Sequence, residues 1–187
     1  MKFYLETKRL ILRELLETDL EGMFALDSNP TVHKYLGNNP ISSKEQAAEN
    51  IRFIREQYLR RGIGRFAAIE KSSGDFIGWS GLKLNAGKEE ELNGIQDFID
   101  VGYRFIPKYW GKGYATESST ATLEFGFNEM NYSIIYGAAE AENTGSNKVL
   151  RKIGLHFMNE FYYTDIKCYW YQLKKDEYLL RQSEENE

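Results

Sequence analysis

The stretch from Asp97 to Glu117, DFIDVGYRFIPKYWGKGYATE, constrains this chain more than any other segment. An apolar strand-like run leads into Trp110-Gly111-Lys112-Gly113-Tyr114-Ala115, and a helical pattern follows. The order is therefore strand, glycine turn, helix. The first N–H groups of a helix have no partner within it, and the helix dipole favours negative charge there. Such an end is a seat for phosphate. The glycines let the backbone approach a ligand closely, and Lys112 adds positive charge. The backbone from Trp110 to Ala115 is expected to hold a pyrophosphate group on a larger cofactor. The same glycines also suit an ordinary turn before a helix.

At 187 residues the chain suits one domain, 1–187, with a core over about 5–174 and an acidic tail over about 183–187 expected to fray. A net charge of −4, with no long basic run, argues against nucleic acid as a partner. It leaves room for docking on a basic protein or an amine. The single cysteine, Cys168, excludes an internal disulfide and lies in an alternating run, as a buried, inert thiol would. No apolar run approaches a membrane span, and no signal-peptide core opens the chain. A cytoplasmic location and no membrane partner are expected. His33 and His156 lack metal-ligand spacing, so no metal is expected.

Strand and helix patterns alternate, which predicts a mixed α/β fold. Arg9–Arg13 reads as a short strand. Thr18, with Glu21 three residues on, suits a capping box. Ser42 or Ser43 opens a second helix carrying Ala47, Ala48, Ile51, Ile54 and Tyr58 at helical spacing, closed by Gly62 and Gly64. Arg65–Glu70 and Phe76–Leu84 form a hairpin around Ser73-Gly74-Asp75. Asn85–Gly94 reads as a mobile loop. A long helix over Ala115–Met130, a strand over Ser133–Ala138, a helix over Gly145–Ile153 and a hairpin of Phe157–Tyr163 with Lys167–Leu173 complete the pattern.

Lys108-Tyr109-Trp110-Gly111-Lys112-Gly113 resembles the acyl-CoA-binding motif of the GNAT superfamily of N-acetyltransferases, with Lys at a position that is Arg or Gln in the family pattern. The Pro-x-Tyr-Trp-Gly-x-Gly-Tyr-Ala-Thr-Glu form is similar to the branch of ribosomal-protein N-terminal (alanine/serine) acetyltransferases. Further segments match in family order. Glu6–Arg13 resembles the opening strand, Thr18-Asp19-Leu20 the first helix cap, and Phe76–Leu82 the third strand. Asn143–Leu155 resembles the late helix. The P-loop and dinucleotide-fold glycine patterns are both absent. The resemblance implies a GNAT-like single domain: a central bent mixed sheet, split near the fourth and fifth strands and flanked by helices.

It also implies direct transfer of an acetyl group from acetyl-CoA to a primary amine. The acceptor is a protein N-terminus or a small molecule such as a polyamine, aminoglycoside or amino acid. A non-catalytic CoA-binding domain is the alternative of another class. In family terms, backbone near Arg104, Phe105 and Ile106 contacts pantetheine and stabilises the oxyanion. Trp110, Gly111, Lys112, Gly113, Tyr114 and Ala115 hold the pyrophosphate. Asn143 touches the pantetheine arm or caps the late helix. Asp100 is favoured as general base, with Asp97 and Glu70 as alternatives and a solvated strand carboxylate as the plain reading of each. Leu150 stands where many members have a tyrosine acid, so Ser146 is the candidate acid, or else a cap or pantetheine contact. Tyr35, Trp79, Tyr103, Trp110 and Tyr162 are candidates to line the acceptor cleft. Dimers are common among similar proteins, and no interface is legible here.

Amine type sets the demand on the base. With a pKa near 7.7–8.0, about one α-amine in seven is neutral at pH 7, against about one lysine amine in 2500. The difference is worth about 3.5 kcal/mol. A chain with no strongly placed base therefore favours α-amines.

Overall fold

The computed structural model describes residues 3–185. The chain forms two compact units by its contacts: one takes the chain up to Lys83 and Gly102–Thr122, the other Leu84–Val101 and Leu123 onward.

In the first unit, β1 (Tyr4–Glu6), β2 (Leu10–Arg13), β3 (Arg65–Glu70) and β4 (Phe76–Asn85, leaving the unit at its end) pair in sequence, each antiparallel to the next. The opening strand is thus a two-strand hairpin, which moves the expected fourth strand to fifth place. β2 buries Leu10 and Leu12 while Ile11 and Arg13 lie half-buried on its other face, as period-2 geometry requires. Helices α1 (Leu20–Asp27), α2 (Pro30–His33) and α3 (Lys44–Arg61) follow. Leu15, Met23, Leu26, Val32, Ala47, Ile51 and Ala67 make their shared core. Each of its leucine, isoleucine, valine and methionine side chains contributes about 1.5–3 kcal/mol when fully buried.

The start of α3 is as expected: the Ser43 side chain accepts from Gln46 N–H, and Gln46 Oε1 accepts from Ser43 N–H. Gly62 closes it at φ 68°, where a side chain would be strained. The start of α1 differs from expectation. Asp19, not Thr18, stands at the cap position of α1, and its side chain makes no cap bond to that helix. Its Oδ2 instead accepts from Leu16 N–H at 2.8 Å, at the start of the 3-10 turn Glu17–Asp19, and its two oxygens accept from Arg13 Nη1 and Nη2. A carboxylate facing a guanidinium makes strong, charge-assisted bonds that hold it there.

In the second unit, β5 (Phe98–Phe105, which ends in the first unit) runs parallel to β6 (Ile134–Glu140), with Asp100↔Tyr136 the single registered pair among the described residues. This sparse pairing is the expected split. β7 (His156–Tyr163) and β8 (Ile166–Lys174) form the expected hairpin, and β8 pairs antiparallel with β6. Phe98, Tyr136, Trp170 and Phe161 pack ring against ring. Helix α4 (Tyr114–Asn128) starts in the first unit, and α5 (Thr144–Lys152) and α6 (Lys175–Glu185) lie in the second. The fold is mixed α/β, with strands and helices in each unit.

Two expectations are revised. Asn85–Gly94 holds a 3-10 turn, Lys88–Glu90, and is tied by Ala86 N–H to Glu90 and Gly87 N–H to Asp97. The C-terminal segment is helical through Glu185, so Ser183–Glu185 continue α6; Asn186 and Glu187 lie outside the described residues.

Candidate active site

The glycine turn is preceded by a 3-10 turn, Pro107–Tyr109, closed by Trp110 N–H to Pro107 O at 3.0 Å. Gly111 and Gly113 then take φ of 72° and 84°, which a side chain tolerates poorly. The first hydrogen bond of α4 runs from Glu117 N–H to Gly113 O at 3.0 Å. Among the described residues, the N–H groups from Gly111 to Thr116 have no protein acceptor. This run of donors at a helix N-terminus suits a diphosphate. Trp110 N–H is spent in the turn.

Three residues outside the motif hold it in shape. Glu117 accepts from Thr7 Oγ1 (2.6 Å), Arg9 N–H (2.8 Å) and Arg9 Nε (2.6 Å). Arg9 Nη1 donates to Lys112 O at 2.9 Å, and its guanidinium lies 4.2 Å from the Tyr114 ring centroid. Binding the Lys112 carbonyl on one side leaves the neighbouring N–H groups to face another. Burial would raise the Glu117 carboxyl, but the bonds from Thr7 and Arg9 outweigh it and hold it low. Beneath the same turn, Tyr114 Oη donates to Glu70, which also accepts from Ser73 Oγ. The bond from Tyr114 lowers the Glu70 carboxyl further. Glu70, one alternative for the base, is therefore an anchor of this turn, on a strand that pairs with β2 and β4. Arg9, Thr7 and Glu117 were missed as site residues. The signal was present in two matched segments, where an Arg and a Glu stood without assigned partners.

The end of β5 is also fixed. A Cβ on Gly78 would lie 2.1 Å from Arg104 O, so only glycine permits this approach. Ile106 N–H donates to Ile77 O at 2.9 Å, so that expected pantetheine donor is already engaged. Trp110 Nε1 donates to Phe105 O at 2.6 Å. The indole, expected to line an acceptor cleft, thus ties the glycine turn to the strand end. Trp79 lies beneath the guanidinium groups of Arg104 and Arg65. Tyr162 is exposed on β7, and Tyr35 sits under Lys34.

The remaining predicted residues belong to the second unit. Asp100, on β5, accepts from Asn85 Nδ2 at 2.8 Å. Asp97 lies before β5, at φ 53°, and accepts from Gly87 N–H at 2.9 Å; it is a loop residue, not a strand carboxylate. Asn143 caps α5, its Oδ1 accepting from Ser146 N–H at 3.1 Å. The cap is therefore Asn143, and Ser146 stands three residues into the helix end. Asn147, unassigned from sequence, is a buried hub. Its Nδ2 donates to the carbonyls of Glu140, Ala141 and Asn143, and its Oδ1 accepts from Tyr171 Oη at 2.8 Å. Burial raises the Glu140 carboxyl and the Cys168 thiol, which keeps that thiol protonated and inert. Among the described residues, no group of three or more His, Cys, Asp or Glu is arranged to hold a metal, and no helix is long and apolar enough to cross a membrane.

A mixed sheet, a strand end pinned beside a glycine turn, and a helix opening on free N–H groups are features that suit a phosphorylated acyl carrier. The family model described as an acetyltransferase (GNAT) domain matches residues 9–156, and the chain belongs to the GNAT N-acetyltransferase family. It is 33% identical over 151 residues to the uncharacterized N-acetyltransferase YoaA of Bacillus subtilis (strain 168), covering 80% of this chain and 81% of that one. The structure of a GNAT-family acetyltransferase from Bacillus anthracis matches with a TM-score of 0.76 at 25% identity, over 94% of this chain and 100% of the other. The ribosomal-protein-S5-alanine acetyltransferase from Vibrio fischeri matches with a TM-score of 0.74 at 18% identity, over 94% and 98%, a likeness of fold alone. The family uses acetyl-CoA and acts on amine acceptors.

Proposed function

We propose that this enzyme acetylates the α-amine of a protein N-terminus, in the cytoplasm, with acetyl-CoA as donor. The observation that carries the donor is the row of unpartnered N–H groups from Gly111 to Thr116. These, with Lys112, hold the diphosphate, and the Phe105 backbone meets the pantetheine arm. Acetyl-CoA supplies the acetyl group as an activated thioester. The Asp100 carboxylate, steadied by Asn85, takes the proton from the amine as nitrogen bonds to the acetyl carbon. Ser146 Oγ gives a proton to the departing sulfur and takes one back from solvent, to which Asp100 releases the proton it took. A thiol pKa of about 8.5 makes that proton a modest requirement.

Asp97, Glu70 and Asp100 each already accept a hydrogen bond within the protein, which supports an acceptor that asks little of a base. The α-amine makes a smaller demand than a lysine-like amine, by about 3.5 kcal/mol. Thiol release from acetyl-CoA, followed against N-terminal peptides, polyamines and aminoglycosides, tests the proposal. Turnover on free-N-terminal peptides, lost when the α-amine is blocked, is the expected result. Turnover confined to polyamines or aminoglycosides would assign a small-molecule acceptor instead, and tight binding without turnover would favour a CoA-binding domain.

A further inference from the structure

Arg104 is the penultimate residue of β5, beside the strand end just described. Its Nη1 donates to Asp27 Oδ1 at 2.6 Å, and Asn50 Nδ2 donates to Asp27 Oδ2 at 2.9 Å. The guanidinium lies 5.1 Å from the Trp79 ring centroid. The Asp27 side chain is 2% exposed and that of Arg104 21%. The last residue of α1 and a residue of β4 thus meet a single β5 side chain, and a residue of α3 holds the far oxygen of the same carboxylate. Desolvating two charges is costly, and well-packed apolar residues often serve stability equally well. What such a pair provides beyond apolar packing is direction: one guanidinium edge held to one carboxylate oxygen, with the other oxygen held by an amide.

The backbone of the same residue is held from the opposite side. Arg104 O sits against Gly78, where any side chain would displace it. The next two residues are pinned by Trp110 Nε1 to Phe105 O and by Ile106 N–H to Ile77 O. Arg104 is therefore fixed at both ends, and with it the Arg104–Phe105 peptide unit.

We infer that Asp27, Asn50 and Arg104 are positioning residues for acetyl transfer, resting on the site reading above: their charged cluster aims the Arg104–Phe105 peptide at the reacting end of the donor. The glycine turn has its own support in Arg9 and Glu117. Loss of the cluster therefore separates the two functions of the donor site. Diphosphate binding stays, and the placement of the thioester suffers. A misplacement of about 1 Å costs about a hundredfold in rate.

The test is the double variant Asp27→Leu/Arg104→Met, which removes both charges together. Three quantities are measured beside the wild type: thermal unfolding, calorimetric affinity for adenosine 3′-phosphate 5′-diphosphate, which carries the diphosphate without pantetheine, and steady-state thiol release. The expected result is a folded protein with unchanged affinity for that probe and kcat lower by about a hundredfold. A folded variant with wild-type kcat overturns the inference and leaves the cluster a stability device. Should the double variant not fold, Arg104→Lys keeps the charge but loses the guanidinium fork, and the same split in kcat is expected there; wild-type kcat in that variant overturns the inference equally. A wild type that neither binds acetyl-CoA nor releases thiol overturns the site reading itself, and the inference with it.

Discussion

Arg9 and Glu117, separated by 108 residues in sequence, meet with Nε 2.6 Å from Oε2, while Arg9 Nη1 holds the Lys112 carbonyl at 2.9 Å. One side chain thus ties the first turn of α4 to the β1–β2 corner and sets which face of the glycine turn carries its free N–H groups. Glu117→Gln is expected to weaken this support by about 1 kcal/mol, since Arg9 is partly exposed and solvent screens the pair. If the turn loosens accordingly, acetyl-CoA affinity falls by about fivefold to tenfold, measurable by calorimetry. Undiminished affinity would make the pair irrelevant to the donor site.

Asn147 satisfies three carbonyls and a tyrosine hydroxyl from within the second unit. Asn147→Ala takes the side-chain partner from the Ala141 carbonyl and the Tyr171 hydroxyl, while the Glu140 and Asn143 carbonyls keep their backbone donors, at a cost of about 2–3 kcal/mol. The unfolding midpoint is expected to drop by roughly 5–10 °C for a chain of this size. A shift near zero would show that water replaces the amide.

Asp100→Asn removes the base from the proposed acetyl transfer. Turnover is expected to fall by about a hundredfold at low pH, where the amine is mostly protonated, and less at high pH, where the amine needs no help. A pH–rate profile of the two proteins decides this. An equal loss at every pH would assign Asp100 to positioning.

His33 is buried, and burial followed by the nearby Arg104 charge pushes its imidazole below the ordinary value. As pH falls below about 6.5, the unfolded chain takes up a proton that the folded chain resists, so stability declines. Glu117, also held low, adds a loss at more acid pH, as its carboxylate is protonated through its folded value. His33→Leu is expected to flatten the stability curve between about pH 7 and 5, with the Glu117 contribution remaining below that. Chemical denaturation across this range would show a parallel curve for the variant if His33 were not responsible.

Much of the fold was legible because its signals are local. The Ser43 and Gln46 pair, the αL position of Gly62, the alternation in β2 and the turn at Gly74 are each written within a few residues. The glycine turn and the Asn143 cap were legible for the same reason. What escaped depends on distant partners. Thr18 and Asp19 are both good caps by type, yet the Asp19 carboxylate is drawn to Arg13 and Leu16 N–H rather than to the helix end. Asp97 counts as a strand residue by spacing until Gly87 N–H draws it into a left-handed turn. Trp110 reads as a cleft aromatic until its indole N–H finds Phe105 O. The Arg9–Glu117 and Asp27–Arg104 pairs join segments that no local pattern connects.

Titration of acetyl-CoA into the wild type and into Gly111→Glu addresses the donor site most directly. Gly111 has room for a Cβ, so the variant bears a modest backbone strain of about 1–2 kcal/mol at φ 72°, and its carboxylate places negative charge in the cradle. The account predicts saturable binding to the wild type and none to a variant whose unfolding remains cooperative. Equal affinity in the two proteins would contradict it and remove the diphosphate from this turn.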